Sequence, residues 1–431
     1  MNVLVVGALG FIGRYIVAAL QARGHVVIAA VRDSRRGELD PALQSLACDL
    51  QRDVDPAIWL PRLQGIDAVV NAAGLLKGDE NILDAVHRQT PLALARAAAE
   101  LGVRRFVQIS ALGNPRDAEF VASKHRGDAD LMACDLPVTI LRPSLVYSLT
   151  GSYGGSSLLR ALAAAPGLMP VPGLGRQLIQ PLHARDLAAI VVAALQEPEH
   201  DQAAQIVNVV GPEQLTLVQF LRGLRGWLRL PKAPILPLPM SLLRVAGALG
   251  DRLGDGPLGS AMVRMLARGN ASTLEDCALL QTRFALAPQT FAWWQSQEPS
   301  QVQDRWQARL YPLAPLLRWG LGLTCLLSAI AGFAQTPAQI AILAAPLPIS
   351  ADLAVVLGYA GSALDAALGA MLLGNWRTRL AANLLLLVVL AYTLILGFYM
   401  PGLWLDPWGA LAKNLAILPA ILIMRVLEDR R

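Results

Sequence analysis

The run Val3-Leu4-Val5-Val6-Gly7-Ala8-Leu9-Gly10-Phe11-Ile12-Gly13, followed by the apolar-periodic stretch Tyr15 to Leu20, leaves few folds open to this chain. Four consecutive apolar residues, three of them β-branched, read as a strand buried on both faces, and a glycine loop opening a helix follows at once. In such a unit Gly7 permits a tight turn, Gly10 lets backbone approach a diphosphate, and Gly13 lets the helix press against the strand. Phosphates then sit at the positive end of the helix. The spacing Gly-x-x-Gly-x-x-Gly is a variant of the dinucleotide fingerprint, and its place between strand and helix is what gives it meaning.

At 431 residues the chain is too long for one ordinary domain. Apolar residues make up 54% and charged residues 16%, which calls for a large core or entry into a bilayer. The start Met1-Asn2-Val3 lacks a basic leader, so no cleaved signal peptide is expected and the amino-terminal part should be cytosolic. Cys48, Cys134, Cys277 and Cys325 show no paired spacing, which predicts reduced packing residues and neither a disulfide frame nor a metal site. The net charge of +5 is spread along the chain, which argues against nucleic acid as a partner.

Strand and helix signals alternate onward. A second strand, His25 to Val31, ends in Arg32-Asp33-Ser34-Arg35-Arg36, where a dinucleotide's adenosine ribose is received. Arg32, backed by Arg35 or Arg36, favours the 2′-phosphate of NADP; Asp33 keeps NAD as the lesser option. A third strand leads to Asp49 and Leu50, with Asp49 placed for the adenine edge. A fourth, Ile66 to Val70, runs into Asn71-Ala72-Ala73-Gly74, small enough for a flat cofactor to lie close. Leu83 to Leu101 reads as a helix kinked or restarted at Pro91, and Arg105 to Ile109 as a fifth strand ending at Ser110. This rhythm predicts an α/β fold, a doubly wound parallel sheet with ligands beyond the carboxyl ends of its strands.

Gly7-x-x-Gly10-x-x-Gly13, Asn71-Ala72-Ala73-Gly74, Phe106-Val107-Gln108-Ile109-Ser110-Ala111, Leu141-Arg142-Pro143-Ser144-Leu145-Val146-Tyr147 and Gln180-Pro181-Leu182-His183-Ala184-Arg185-Asp186 follow in order. With these motifs the first 300 residues resemble the short-chain dehydrogenase/reductase superfamily, in its extended and atypical branches, including the subgroup of the complex I 39 kDa subunit. The resemblance implies a Rossmann domain with a small substrate-binding portion. It also implies an NADP site, with NAD less favoured, drawn from Gly7, Leu9, Gly10, Phe11, Ile12, Gly13, Arg32, Arg36, Asp49, Leu50, Ala72, Ala73, Gly74, Ser110, Lys124 and Pro143. Superfamily enzymes carry Tyr-x-x-x-Lys; here the run is Phe120-Val121-Ala122-Ser123-Lys124. Lysine remains to hold ribose hydroxyls, but phenylalanine cannot transfer a proton. Lys124, Ser110 and His183 are therefore the catalytic candidates, with His125 and Tyr147 as further proton sources. Tyr147 also reads as a packing residue, His183 as an organiser of the loop before a helix, and Asp186 as that helix's cap.

The portion to residue 300 has aliphatic stretches that suit a hydrophobic ligand or a plain core. Helical periodicity over Met240 to Leu249 and Leu258 to Leu266 could place Arg244, Arg252 and Arg264 against lipid phosphates. Beyond a polar stretch, Gln295 to Arg309, composition shifts. Four apolar runs follow: Leu316 to Ala334, Leu353 to Gly374, Leu380 to Met400 and Trp408 to Met424. Arg309, Arg318, Arg377, Arg379, Arg425, Arg430 and Arg431 mark one side, while the loops Gln335 to Ser350 and Pro401 to Pro407 carry no lysine or arginine. The bias predicts an inner-membrane, multi-pass protein with both termini and the dinucleotide domain in the cytoplasm. Asp365 and Lys413, counted at comparable depth, are expected to pair. The run Leu405 to Asn414 resembles the DoxX-like family of four-helix membrane proteins, some linked to quinone chemistry, over about residues 310 to 431.

Division at residue 300 into a nucleotide domain and an all-α four-helix transmembrane domain is thus expected. So is an NADP-dependent oxidoreductase acting on a quinone- or lipid-like substrate, with membrane lipids and a membrane protein as possible partners. The alternative is a scaffold or assembly factor with a structural dinucleotide, for which Phe120 argues.

Overall fold

The computed structural model describes residues 1–197, 204–253 and 259–428. The chain divides into two compact units, Met1–Ala308 and Arg309–Arg431.

In the first unit, β1 (Asn2–Val6), β2 (Val26–Val31), β3 (Gln44–Ala47), β4 (Ala68–Asn71), β5 (Arg105–Ile109), β6 (Val138–Pro143) and β7 (Gln205–Val209) form one sheet. Its order is β7-β6-β5-β4-β1-β2-β3, with every neighbouring pair parallel. Period-two alternation sends Val3 and Val5 of β1 into one core and Leu4 and Val6 into the other. The first core is closed by Ile16 and Leu20 of helix α1 (Phe11–Ala22) with Leu187 and Val191. The second is closed by Leu94 and Ala97 with Leu131 of α2 (Glu119–Met132). Each buried aliphatic side chain contributes about 1.5–3 kcal/mol, so the uninterrupted apolar strand is what fixes the two-sided sheet. Leu187 and Val191 lie on α3 (Ala184–Leu195).

The helix expected over Leu83 to Leu101 is helical but not uniform. A π turn at Ala85–Gln89 separates Glu80–Asp84 from Thr90–Glu100, and Pro91, which has no N–H to give the preceding turn, falls directly after it. A smaller portion carries short strands and the helices Gly155–Ala164, Leu217–Trp227 and Phe291–Gln297 around Tyr147, Phe220, Trp227 and Trp294. The two helices anticipated near Met240 and Leu258 are Met240–Leu253 and Ser260–Arg268; Leu258 and the Arg252 side chain lie outside the described residues. Arg264 donates to the Asp117 carbonyl at 2.6 Å, which ties it to protein rather than to lipid phosphate, whereas Arg244 is exposed.

Among the described residues three helices are long and apolar enough to cross a membrane: α4 (Val302–Phe333), α5 (Ala351–Leu373) and α6 (Thr378–Tyr399). The fourth expected span is shorter than anticipated. Asp406 to Gly409 form a turn with Gly409 at φ +67°, and α7 (Asn414–Leu427) has 14 residues, about 21 Å at ~1.5 Å per residue. Within the second unit Ala381, Ala382 and Leu385 of α6 pack with Leu368 and Leu372 of α5 and Ile421 and Met424 of α7, small residues allowing close approach. Leu327, Leu394 and Phe398 stay exposed, as a lipid-facing surface requires.

The expected Asp365–Lys413 pair does not form. Lys413 precedes α7 instead of lying inside it, and Asp365 accepts a hydrogen bond from Ser328 at 2.7 Å. A buried ion pair in this unit is Arg318–Glu428, at 3.2 Å, with Arg318 also donating to Asn375 and Thr378 to Glu428. Arg430 and Arg431 lie outside the described residues.

Candidate functional site

Gly7 has φ +80°, and a Cβ there would lie 2.8 Å from the Ala73 nitrogen, so only glycine lets β1 turn beneath the loop leaving β4. A Cβ on Gly13 would overlap the Gly7 carbonyl oxygen. These two glycines bring the amino end of α1 against the carboxyl end of β1. Gly10 occupies the N-cap without a side-chain hydrogen bond, and the first turn holds no acidic residue. Among the described residues no carboxylate or hydroxyl side chain accepts from the first helical N–H groups. Leu9 is buried, while Phe11 and Ile12 are half-buried. An uncapped helix end with a glycine floor fits a diphosphate.

Ala72, Ala73 and Gly74 form the wall opposite. Ala73 donates to the Asn71 side chain at 3.1 Å, and its carbonyl accepts from Lys124 Nζ at 3.1 Å. Lys124 also donates to the Ile109 carbonyl at 2.7 Å, joining the ends of β4 and β5. Burial lowers its pKa to about 8, with nearby Asp128 opposing the fall. Beneath the lysine lies His87, which sequence reasoning did not single out. Its Nε2 accepts the Leu75 N–H at 2.9 Å, so the proton resides on Nδ1, 2.8 Å from Ser123 Oγ. Burial, and then the Lys124 charge, push the imidazole down to about 3, and Phe120 packs edge-on against it. The π turn is what aims His87 inward; a lone histidine in an apolar helix gave no warning of it.

Ser110 donates to Asp128 Oδ2 at 2.7 Å, and Arg142 donates to the same oxygen at 2.8 Å. Asp128 and Arg142 were also missed; the signal was a lone arginine ending the apolar strand β6. The Pro143 carbonyl accepts the Leu112 N–H at 3.0 Å. His125 Nε2 contacts the Ala111 carbonyl at 2.9 Å.

His183 stands apart from this group. It is fully buried, its Nδ1 accepts the Arg185 N–H at 3.3 Å as the N-cap of α3, and its ring stacks on Trp294 at 3.7 Å. The cap anticipated at Asp186 is thus one turn earlier. Asp186 lies within the helix and accepts from Trp294 Nε1 at 2.8 Å and Gln289 N at 3.1 Å. Glu298 lies 3.6 Å from His183 Nε2 and 3.2 Å from Arg185; burial would raise its carboxyl, but these two partners outweigh it and hold it low. Tyr147 is buried edge-on to His183, and burial pushes its phenol far up. A histidine and a phenol enclosed in this way organise a core.

At the end of β2, Arg32 makes no ion pair among the described residues. Arg36 lies 3.4 Å from Asp33, and Arg35 is paired with Glu38. Asp49, with a half-exposed side chain, accepts the Gln51 N–H at 3.1 Å and lies 3.7 Å from Arg52, while the Leu50 carbonyl accepts from Thr90. Above α1, Tyr15 and Ser148 hydroxyls meet at 2.6 Å, bringing the segment after β6 to the glycine loop.

Residues 3–210 match the NAD dependent epimerase/dehydratase family. The 3-diazoavenalumate denitrifying reductase of a Streptomyces species is 31% identical over 309 residues, covering 65% of this chain and 95% of that protein. The chain belongs to the NAD dependent epimerase/dehydratase family. Another relative, the ceramide reductase of Caulobacter vibrioides, is 28% identical over 254 residues, or 58% of this chain and 77% of that one. The solved structure of MoeE5 with UDP-glucuronic acid and NAD superposes with TM-score 0.51 at 19% identity, covering 68% of this chain and 95% of that one, and shares the fold. Residues 321–422 match the DoxX-like family, so an epimerase-family nucleotide-binding domain precedes a helical membrane domain.

Proposed function

We propose that this protein is a membrane-anchored, NADP-dependent oxidoreductase that acts on a hydrophobic, lipid- or quinone-like substrate. The observation that carries the reading is the uncapped amino end of α1, closed below by Gly7 and Gly13 and flanked by the arginines that end β2. A bound nicotinamide nucleotide would supply hydride transfer. Backbone around Gly7, Leu9, Gly10, Phe11, Ile12 and Gly13 would receive its diphosphate, Arg32 and Arg36 its 2′-phosphate, and Asp49 and Leu50 its adenine. Ala72, Ala73, Gly74, Ser110 and Pro143 would border the nicotinamide half. Lys124 spends two N–H groups on carbonyls and keeps its third for a ribose hydroxyl. The lipid-like substrate class is supported by the ceramide reductase relative and by the membrane helices. The arginine bias at the helix ends supports a cytoplasmic nucleotide domain in the inner membrane.

A scaffold that holds its dinucleotide without turning it over is favoured by one observation: Phe120 stands where a phenol would supply the proton, and it packs on a neutral histidine. Detergent-purified protein given NADPH and a panel of quinones and long-chain carbonyl compounds separates the two. Oxidation of NADPH supports the enzyme. Tight retention without oxidation supports the scaffold, and activity gained on Phe120→Tyr identifies the missing phenol as the obstacle.

A further inference from the structure

Helix Met240–Leu253 is built inside out for a surface that meets water. Leu242, Val245 and Leu249 recur at helical spacing on one face, and they are 56%, 59% and 50% exposed. The opposite face is the one that packs: Gly247 is buried, and a Cβ there would lie 3.1 Å from both Val263 Cγ2 and Ser260 N of the helix Ser260–Arg268. Asp251 fastens the two helices by accepting the Ser260 N–H at 3.2 Å. The exposed apolar surface continues at the start of the helix. Strands Met169–Pro172 and Ile235–Leu238 pair in parallel, so the loop leaving the first emerges beside Met240, and there Leu174 is 62% exposed. Segments 168–178 and 235–250 contain two charged residues, Arg176 and Arg244, both exposed, and no acid.

We propose that this face docks on the anionic lipid surface of the membrane that holds the chain's apolar helices. A row of exposed aliphatic side chains, with arginines whose stems lie along apolar surface and whose heads reach phosphates, is what an interfacial helix presents to a leaflet. A second copy fits less well, because a two-fold contact would bring the same arginines to both sides. The apolar helices tether this unit to the bilayer, so a shallow contact suffices to hold it there. The packed partner helix reaches the rim of the nucleotide site. Arg264 donates to the Asp117 carbonyl at 2.6 Å, Arg268 pairs with the Asp117 carboxylate, and Asn270 donates to the Leu112 carbonyl at 3.2 Å, all on the segment leaving β5. Docking therefore brings the carboxyl end of β5 toward the leaflet, from which a lipid-like substrate enters without crossing water; that consequence alone rests on the function proposed above.

The test places a bimane label on Val245→Cys and on Leu249→Cys, exposed positions that tolerate it, in the full-length protein. Each variant is held in nanodiscs of phosphatidylcholine and phosphatidylglycerol that include nitroxide-labelled phosphatidylcholine. Wild type treated alike gives the background from the native cysteines. Neither nucleotide nor substrate is added, so docking is read apart from the proposed chemistry. The expected result is loss of fluorescence to nitroxide near the top of the acyl chain, protection from iodide in the water, and weaker lipid quenching when phosphatidylglycerol is left out. Quenching by iodide alone overturns the docking. Shielding from both quenchers overturns it as well, since a face covered by protein gives that result. Equal lipid quenching without phosphatidylglycerol overturns the anionic surface. Lipid quenching in a protein that never oxidises NADPH would uphold this surface and remove the enzyme reading.

Discussion

Lys124 Nζ donates to the Ala73 carbonyl at 3.1 Å, so a lysine on α2 holds in place the loop under which Gly7 turns. Its second bond, to Ile109, makes the same ammonium a clasp between β4 and β5. Lys124→Met leaves two inward-facing carbonyls without this donor. It should cost about 2–3 kcal/mol and weaken nucleotide binding, read by thermal unfolding with and without NADPH. The fold lowers the lysine pKa from 10.5 to about 8, so between those values the unfolded chain binds more protons. Wild-type stability should therefore gain up to about 1.4 kcal/mol per pH unit from this group as pH rises from 8 to 10.5, and Lys124→Met should lack that gain.

His87 gives the corresponding acid limb. It stays neutral in the fold down to about 3, whereas an unfolded histidine protonates near 6.5. Its contribution is complete above 6.5 and is lost as pH falls toward 3, at up to about 1.4 kcal/mol per unit. His87→Gln should be less stable at pH 7 and show a flatter decline of the melting midpoint between pH 6.5 and 4. A decline of unchanged steepness would contradict the buried neutral ring.

Gly13→Ala places a methyl group on the Gly7 carbonyl oxygen. The clash is with backbone, so α1 must shift. We expect a loss of about 1–3 kcal/mol and at least ten-fold weaker nucleotide binding in titrations of the intact protein. Gly24→Ala is the contrast: nothing crowds its Cβ, its φ of +76° costs about 1 kcal/mol, and nucleotide affinity should be unchanged.

Asp128 receives Ser110 and Arg142 together. Asp128→Asn should destabilise by about 3 kcal/mol, since Arg142 loses its counter-ion, whereas Ser110→Ala should cost about 1 kcal/mol. If Ser110 serves only this network, Ser110→Ala retains NADPH turnover per folded molecule. A drop in turnover with unchanged KM would give the hydroxyl a part in the chemistry.

Since Asp365 bonds to Ser328 and Lys413 lies outside the helices, replacing Asp365 by Asn and Lys413 by Met should have additive effects within about 0.5 kcal/mol in detergent unfolding. A coupling above 1 kcal/mol would restore the pair.

What could be read from the chain alone was whatever local pattern dictates. The β1 run, the glycine spacing and the strand Arg105–Ile109 are set by residues within a few positions of one another. What escaped depends on distance in space. Asp128 and Arg142 meet across 14 residues, and His87 meets Ser123 across 36. The fourth membrane helix failed for a local reason: hydropathy ran through Trp408 to Ala412, but Pro407 and Gly409 impose a turn that hydropathy cannot register. Helix α3 was started at Asp186 because aspartate is the commoner cap, while here a histidine ring nitrogen does the work.

Helix α4 begins at Val302, ahead of the unit boundary at Ala308, and its first turns are bonded to the nucleotide-binding unit. Asp304 lies 3.7 Å from Arg160, a buried arginine stacked over Trp227, and Gln307 donates to Ser152 at 3.1 Å. A fragment cut at residue 300 would strip Arg160 of its acid and remove the Gln307 bond to Ser152. The nucleotide-binding unit therefore closes on the first turns of the same helix that runs on into the apolar span.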